Sequence, residues 1–147
     1  ENGPTVIRFE ESAHPVRMNI RPGSILPLLR SSIGQVFAAH IPKSEIAQII
    51  ATERGALGGS VPSSETFERL LDDVRARGLN RNVGDYVRGV SAMSVPVFDA
   101  HGQIVAVIGV LGHEPTLDTS WDGPIASTLL QAGDEISQRL GHRVNKR

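Results

Sequence analysis

Gly89-Val-Ser-Ala-Met-Ser-Val-Pro-Val-Phe-Asp-Ala-His-Gly-Gln-Ile-Val-Ala-Val-Ile-Gly-Val-Leu-Gly112 is the stretch from which the fold can be read. Two runs rich in Val, Ile and Ala flank Asp99-Ala100-His101-Gly102, where Asp favours turn initiation and Gly102 tolerates a positive φ. That is a β-hairpin pattern. The second arm, from Ile104 to Val110, is almost continuously apolar, so it is expected to be covered on both faces or to lie in mid-sheet. Pro96 lacks an N–H and places the first arm at a sheet edge or a bulge. No catalytic group sits on the hairpin.

Upstream of it, residues 79–88 read as polar and irregular. Before them, Ser63 or Ser64 caps a helix that runs to Gly78, with Phe67, Leu70, Leu71 and Val74 as its buried stripe. The glycine-rich residues 55–60 lack the preceding strand and the Gly-Lys-Ser/Thr of a phosphate loop and read as a flexible surface loop. Residues 43–53 form a helix with Ile46, Ile49 and Ile50 inward. Residues 27–40 form another, with Leu29, Ile33, Val36 and Phe37 on its apolar side. Within it Gly34 costs about 1 kcal/mol relative to Ala, which points to close backbone approach by a neighbour or by a ligand. Residues 5–10 and 14–20 alternate as two strands. Downstream of the hairpin, Ile125, Leu129, Ala132, Ile136 and Leu140 step round a final helix, and a basic tail follows. The order β-β-α-α-α-β-β-α gives an α+β fold, an antiparallel sheet flanked by helices.

At 147 residues the chain fits one domain able to bury its own core. The absence of cysteine excludes disulfides and thiolate metal sites and is compatible with a reducing compartment. Fifteen Lys plus Arg against sixteen Asp plus Glu leave none of the basic excess of a module that grips phosphates by itself. No run approaches the roughly 20 apolar residues of a membrane span, and Glu1-Asn2-Gly3-Pro4 has no signal-peptide character. The expectation is a cytoplasmic domain from a longer protein, without membrane contact.

The residues give no support to an enzyme. The five histidines fall in separate segments, and there is neither a Gly-x-Ser-x-Gly elbow nor a thiol, so no catalytic residue, metal or cofactor is expected. What stands out is polarity where apolar residues belong. Ser31, Ser32, Gly34 and Gln35 cluster on the first helix, and Ser91 and Ser94 lie near the centre of the sheet. Small polar groups beside glycines can line a pocket. Arg30 near a helix start and Arg88 beside the hairpin are either anchors for a carboxylate or surface arginines that pair with nearby acids.

With those residues in hand, the chain resembles the effector-binding domain of the IclR family of bacterial transcription regulators. The resemblance rests on Val16-Arg17-Met18 with Pro22 to Leu28, on Gly34 with Ala38-Ala39, and on Val74 to Gly78. It continues from Gly89-Val90 through Pro96-Val97-Phe98-Asp99 to Gly112, and in Glu135-Ile136-Ser137 with Leu140-Gly141. It implies a profilin-like or GAF-like α+β domain that binds a small metabolite and forms homodimers or homotetramers. DNA would be bound by a separate winged helix-turn-helix absent from these residues, together with the linker helix and the first elements of the sensor domain. The effector positions of the family fall on Ser32, Ile33, Asn82, Ala92, Gly109 and Leu111. Ser32-Ile33 replaces the common Gly-Ala, Asn82 to Asp85 replaces an acid-rich stretch, and Gly109 and Leu111 replace serines. The implied pocket is more apolar and more tolerant of an anion, which suits a small organic acid. Gly34, Arg30 and Arg88 complete the candidate set. The rival expectation is an assembly module whose pocket Ile33 and Leu111 have filled.

Overall fold

The computed structural model describes residues 3–13 and 16–143. Its elements are α1 (Ser32–His40), α2 (Lys43–Leu57) with a 3₁₀ turn (Gly58–Ser60), α3 (Ser64–Arg77), β1 (Asn80–Val83), β2 (Val90–Phe98), β3 (Ile104–His113) and α4 (Pro124–Arg139). The strands form one antiparallel sheet in the order β1-β2-β3. This is the expected α+β class.

The hairpin forms where the sequence places it. Asp99 Oδ1 accepts from the backbone N–H groups of His101 and Gln103, and Gly102 has φ 74°. The bulge expected of the first arm is present, but the second arm departs from its expected environment. β2 is the central strand, buried from Met93 to Val97, whereas β3 lies at the sheet edge among the described residues and is only half-buried. Pro96 is tolerated in a central strand because β1 pairs only with Ser91 to Ser94 and a register shift follows at Val97/Phe98. At that shift the N–H of Phe98 donates instead to Ser137 Oγ of α4, at 3.0 Å.

The sheet separates two cores. On one side α1 carries Val36, Ala38 and Ala39 into a cluster with Leu28, Leu29, Ile46, Phe67, Leu71 and Val74. On the other, Ala126 and Leu129 of α4 meet Leu79, Met93 and Val95. Gly133 lets α4 lie close to β2, since a Cβ there would stand 3.0 Å from Val95 Cγ2 and 3.1 Å from the Pro96 carbonyl. α3 follows its expected limits, with Ser63 Oγ accepting from Thr66 N–H and Gly78 closing it at φ 66°.

Several expectations are corrected. Residues 5–10 form no strand beyond an isolated Thr5–Ile25 bridge, and residues 16–20 form none; His14 lies outside the described residues. Val16, Met18 and Ile20 do alternate in burial with Arg17 and Asn19, so the period is present but the ladder partner is not. The supposed irregular stretch contains β1, whose period shows in buried Asn80 and Asn82 rather than in apolar residues. The supposed loop at 55–60 continues α2 and ends in the 3₁₀ turn. The first helix begins at Ser32 rather than at Pro27, because Ser31 is its N-cap.

Candidate functional site

Strand register gathers the candidates. Asn82, Ala92 and Leu111 pair across the three strands, and Asn80, Ser94 and Gly109 make the adjacent row. Residues directly opposite in antiparallel strands share a face, and alternate residues along a strand do too. These six therefore form one floor, beneath the start of α1.

Side chains of α1 close part of that floor. Ser32 Oγ and Ser94 Oγ hydrogen-bond at 2.5 Å. Asn80 Nδ2 donates to Gln35 Oε1 at 2.8 Å and to the Ser32 carbonyl at 3.2 Å, and Gln35 Nε2 donates to the Leu29 carbonyl at 3.1 Å. Ile33 covers Gly109: a Cβ at residue 109 would sit 3.2 Å from both Ile33 Cγ1 and Cδ1. Even so, Gly109 is exposed, and Ala92 and Leu111 are only half-buried, so the floor opens to solvent beside the helix start.

Asn82 and Arg30 hold the rim. Asn82 Nδ2 donates to the Arg30 carbonyl at 2.7 Å, while its Oδ1 accepts from the N–H groups of Asp85 and Tyr86. Arg30 Nη2 in turn donates to the Asp85 carbonyl at 2.9 Å. Together they tie the turn after β1 to the segment that enters α1. Ser31 Oγ accepts from Gly34 N–H at 2.9 Å and donates to the Pro27 carbonyl at 2.7 Å.

Arg30, Ser32, Ile33, Asn82, Ala92, Gly109 and Leu111 thus come together. Gly34 is placed differently: the space a side chain would take is filled by the backbone of Pro27 and Leu28, so the close neighbour is the chain itself. Arg88 is exposed in the turn before β2, with no hydrogen bond or ion pair among the described residues. Three further residues join this arrangement. Gln35 and Ser94 were visible as polar residues at apolar positions, whereas Asn80 was hidden in a stretch too short and polar to read as a strand.

At the far end of α1, His40 packs edge-on against Phe98, ring centroids 5.0 Å apart, and its Nε2 is buried without a hydrogen-bond partner among the described residues. Burial first, and then the positive charge of Arg75, hold its pKa below the ordinary 6.5. The fold therefore prefers neutral His40. Its contribution to stability is complete above the unfolded-state value and is lost as pH falls from 6.5 towards the lowered value. Urea unfolding between pH 7.5 and 5.5 is expected to show this decline, and His40→Phe to flatten it.

Comparison with known proteins agrees with this architecture. The family model described as bacterial transcriptional regulator IclR C-terminal matches residues 3–138. The HTH-type transcriptional regulator KdgR of Escherichia coli is 29% identical over 141 residues, covering 90% of this chain and 51% of that protein. The glycerol operon regulatory protein of Streptomyces griseus is 30% identical over 117 residues, covering 79% of this chain and 45% of that one. Among solved structures, Pseudomonas aeruginosa HmgR superposes with a TM-score of 0.87 at 38% identity, covering 96% of this chain and 56% of that chain. The chain thus spans about half the length of the curated relatives it matches, and these are transcription regulators rather than enzymes, in line with the lack of catalytic groups in the sequence. Its match over residues 3–138, on a sheet and helices shared with HmgR, makes this chain a member of the IclR C-terminal family of bacterial transcriptional regulators.

Proposed function

We propose that this domain senses a small organic acid and, by oligomerising, modulates DNA binding by a winged helix-turn-helix elsewhere in the polypeptide. The observation that carries the reading is the floor of Ala92, Gly109 and Leu111, open beside the start of α1, with no acidic side chain among the seven residues gathered there. An apolar group would lie on the floor, and a carboxylate would face the positive end of the α1 dipole and Arg30. No helix among the described residues is long and apolar enough to cross a membrane, which is compatible with a cytoplasmic regulator. Binding would act by favouring one oligomeric or domain arrangement through differential affinity.

Isothermal titration against a panel of partly apolar carboxylic acids, neutral sugars and organic bases tests the reading. Acids are expected to bind and the others not; binding by sugars or bases alone would overturn it. Ile33→Ala removes the side chain that covers Gly109, so it is expected to shift preference towards bulkier acids by about tenfold or more in Kd.

A second reading has its own observation. Ile33 fills the space over Gly109, and Ser32, Ser94, Asn80, Gln35 and Asn82 satisfy one another or nearby backbone. A domain so filled would serve only to assemble subunits. It predicts that no metabolite raises the melting temperature of either wild type or Ile33→Ala.

A further inference from the structure

The outward side of β1 carries a cleft of its own. Burial alternates along that strand, so Asn80 and Asn82 turn towards α1 and the floor, while Arg81 and Val83 turn away. On that other side a cleft of ≈ 500 Å³ lies between α3 and β1, with Leu70, Val74, Leu79 and Val83 as its apolar surface. Trp121 lines it near the turn that joins the two elements. The guanidinium carbons of Arg77, the last residue of α3, and of Arg81, in β1, lie 4.1 and 4.3 Å from the centroid of its ring. The indole is packed against the core cluster of Leu79, Met93 and Leu129, so it is a fixed platform that orients both cations.

The charges round this cleft are held apart rather than paired. Asp73 stands four residues before Arg77, a spacing at which acid and base pair on a helix. Arg77 lies over the indole instead, and neither residue forms an ion pair among the described residues. Arg81 and Asp85 are likewise without an ion pair among the described residues, although Arg81 Nη1 donates to the Thr119 carbonyl at 3.3 Å. Arg69, the other arginine of the cleft, is engaged by Glu65. Two guanidiniums therefore face the cleft beside Trp121, and two carboxylates line it further along. Asp73 is about 6 Å along the helix from Arg77, and Asp85 is up to about 13 Å along the strand from Arg81.

We infer that this cleft binds a short extended peptide of two or three residues, its terminal carboxylate on Arg77 and Arg81, its apolar side chains over Leu79 and Val83, and its terminal ammonium towards Asp73 and Asp85. A guanidinium stacked on an indole keeps its in-plane N–H fork open, and a carboxylate is the group that fork matches. A simple anion would leave the two aspartates unanswered and be repelled by them. A free amino acid is too short to reach both ends, whereas an extended chain advances roughly 3.3–3.6 Å per residue, so two or three residues bridge about 7–11 Å. The outer side of β1 has no neighbouring strand among the described residues, which leaves its backbone available to such a chain.

Trp121 is the single tryptophan of the chain, so its fluorescence reports on this cleft. Titration with the tripeptide Ala-Leu-Ala is expected to change the emission saturably, with a Kd below about 10 mM. The C-terminal amide and the N-acetyl form of the tripeptide are each expected to bind about tenfold more weakly or worse. Arg81→Met, which keeps an unbranched chain against the ring but removes the charge, is expected to lower affinity by a similar factor. Asp73→Asn with Asp85→Asn gives a second measurement: it is expected to weaken the free tripeptide but not its N-acetyl form, a difference that a merely misfolded variant would not produce. The proposal is overturned if no saturable change is seen, if the amide binds as well as the free acid, or if the double variant weakens both forms equally. Equal responses to acetate or inorganic phosphate would also overturn it, by showing a plain anion site. So would a response that follows protein concentration, which would assign the cleft to a second copy. The titration uses no effector acid, so its failure and that of the sensing proposal are read separately.

Discussion

Gly34→Ala is expected to destabilise the domain by about 3 kcal/mol or more, although Ala is the better helix former by about 1 kcal/mol. The added Cβ would lie 2.0 Å from the Pro27 carbonyl oxygen and 2.8 Å from Leu28 Cα, and both are backbone atoms that no rotamer change can move aside. Pro27 is also held in place. Its carbonyl accepts from Ser31 Oγ and from Ser31 N–H, and the same Ser31 Oγ caps Gly34 N–H. Relief would require α1 to rise from the turn that it crosses, which would strip Ser32 from Ser94 and Ile33 from Gly109. Stability and the proposed effector floor should therefore fail together. Urea unfolding followed by circular dichroism measures the first and titration with an acid ligand the second. A loss below about 1 kcal/mol would show that the crossing can relax.

How much of this could be read from the residues depended on whether period or partner decided the outcome. The hairpin was legible because the turn chemistry of Asp99 and Gly102 and the apolar arms all agree. α3 was legible for the same reason, with a cap, a stripe and a terminal glycine in order. Residues 5–10 and 16–20 carry strand periodicity, but pairing is a long-range property that alternation cannot supply. The second arm was misplaced because an apolar run looks the same at a sheet centre and at a sheet edge. On α4 the stripe was correctly periodic yet turned from the buried line, because the backbone of β2 comes too close for large side chains.

The candidate site was half legible on similar grounds. Polar residues at apolar positions marked Ser32, Gln35 and Ser94, and the resemblance to a family added Asn82, Ala92, Gly109 and Leu111, all of which the strand register brings to one face. Gly34 was marked for the right property, close approach, but its neighbour is Pro27 rather than the floor. Arg30 proves to be engaged through the Asp85 carbonyl, which no spacing in the sequence would reveal.

Glu53 was not singled out at all, and its removal should have the second-largest effect. Its carboxylate accepts from the N–H groups of Leu28 and Leu29, at 2.8 and 2.9 Å, across more than twenty residues of sequence. Two adjacent backbone donors on one carboxylate make a charge-assisted pair in a partly buried setting. Glu53→Ala leaves both donors without that acceptor and is expected to cost about 2–4 kcal/mol. Glu53→Gln keeps one oxygen but turns an amide N–H₂ towards the other donor, so it should recover only part of the loss. Because Glu53 and Gly34 constrain the same turn, their effects should not add: once Glu53→Ala frees Leu28 and Leu29, the crossing has room to yield and Gly34→Ala should cost less than it does alone. A double-mutant cycle by urea unfolding reads that coupling, expected at about 1 kcal/mol. The turn leads directly to Arg30 and the Ser31 cap, so under the sensing proposal Glu53→Ala is also expected to weaken acid binding without touching the floor, whereas Ile33→Ala is expected to alter ligand preference with little effect on the turn. That separation distinguishes a residue that orients the helix start from one that shapes the space above Gly109.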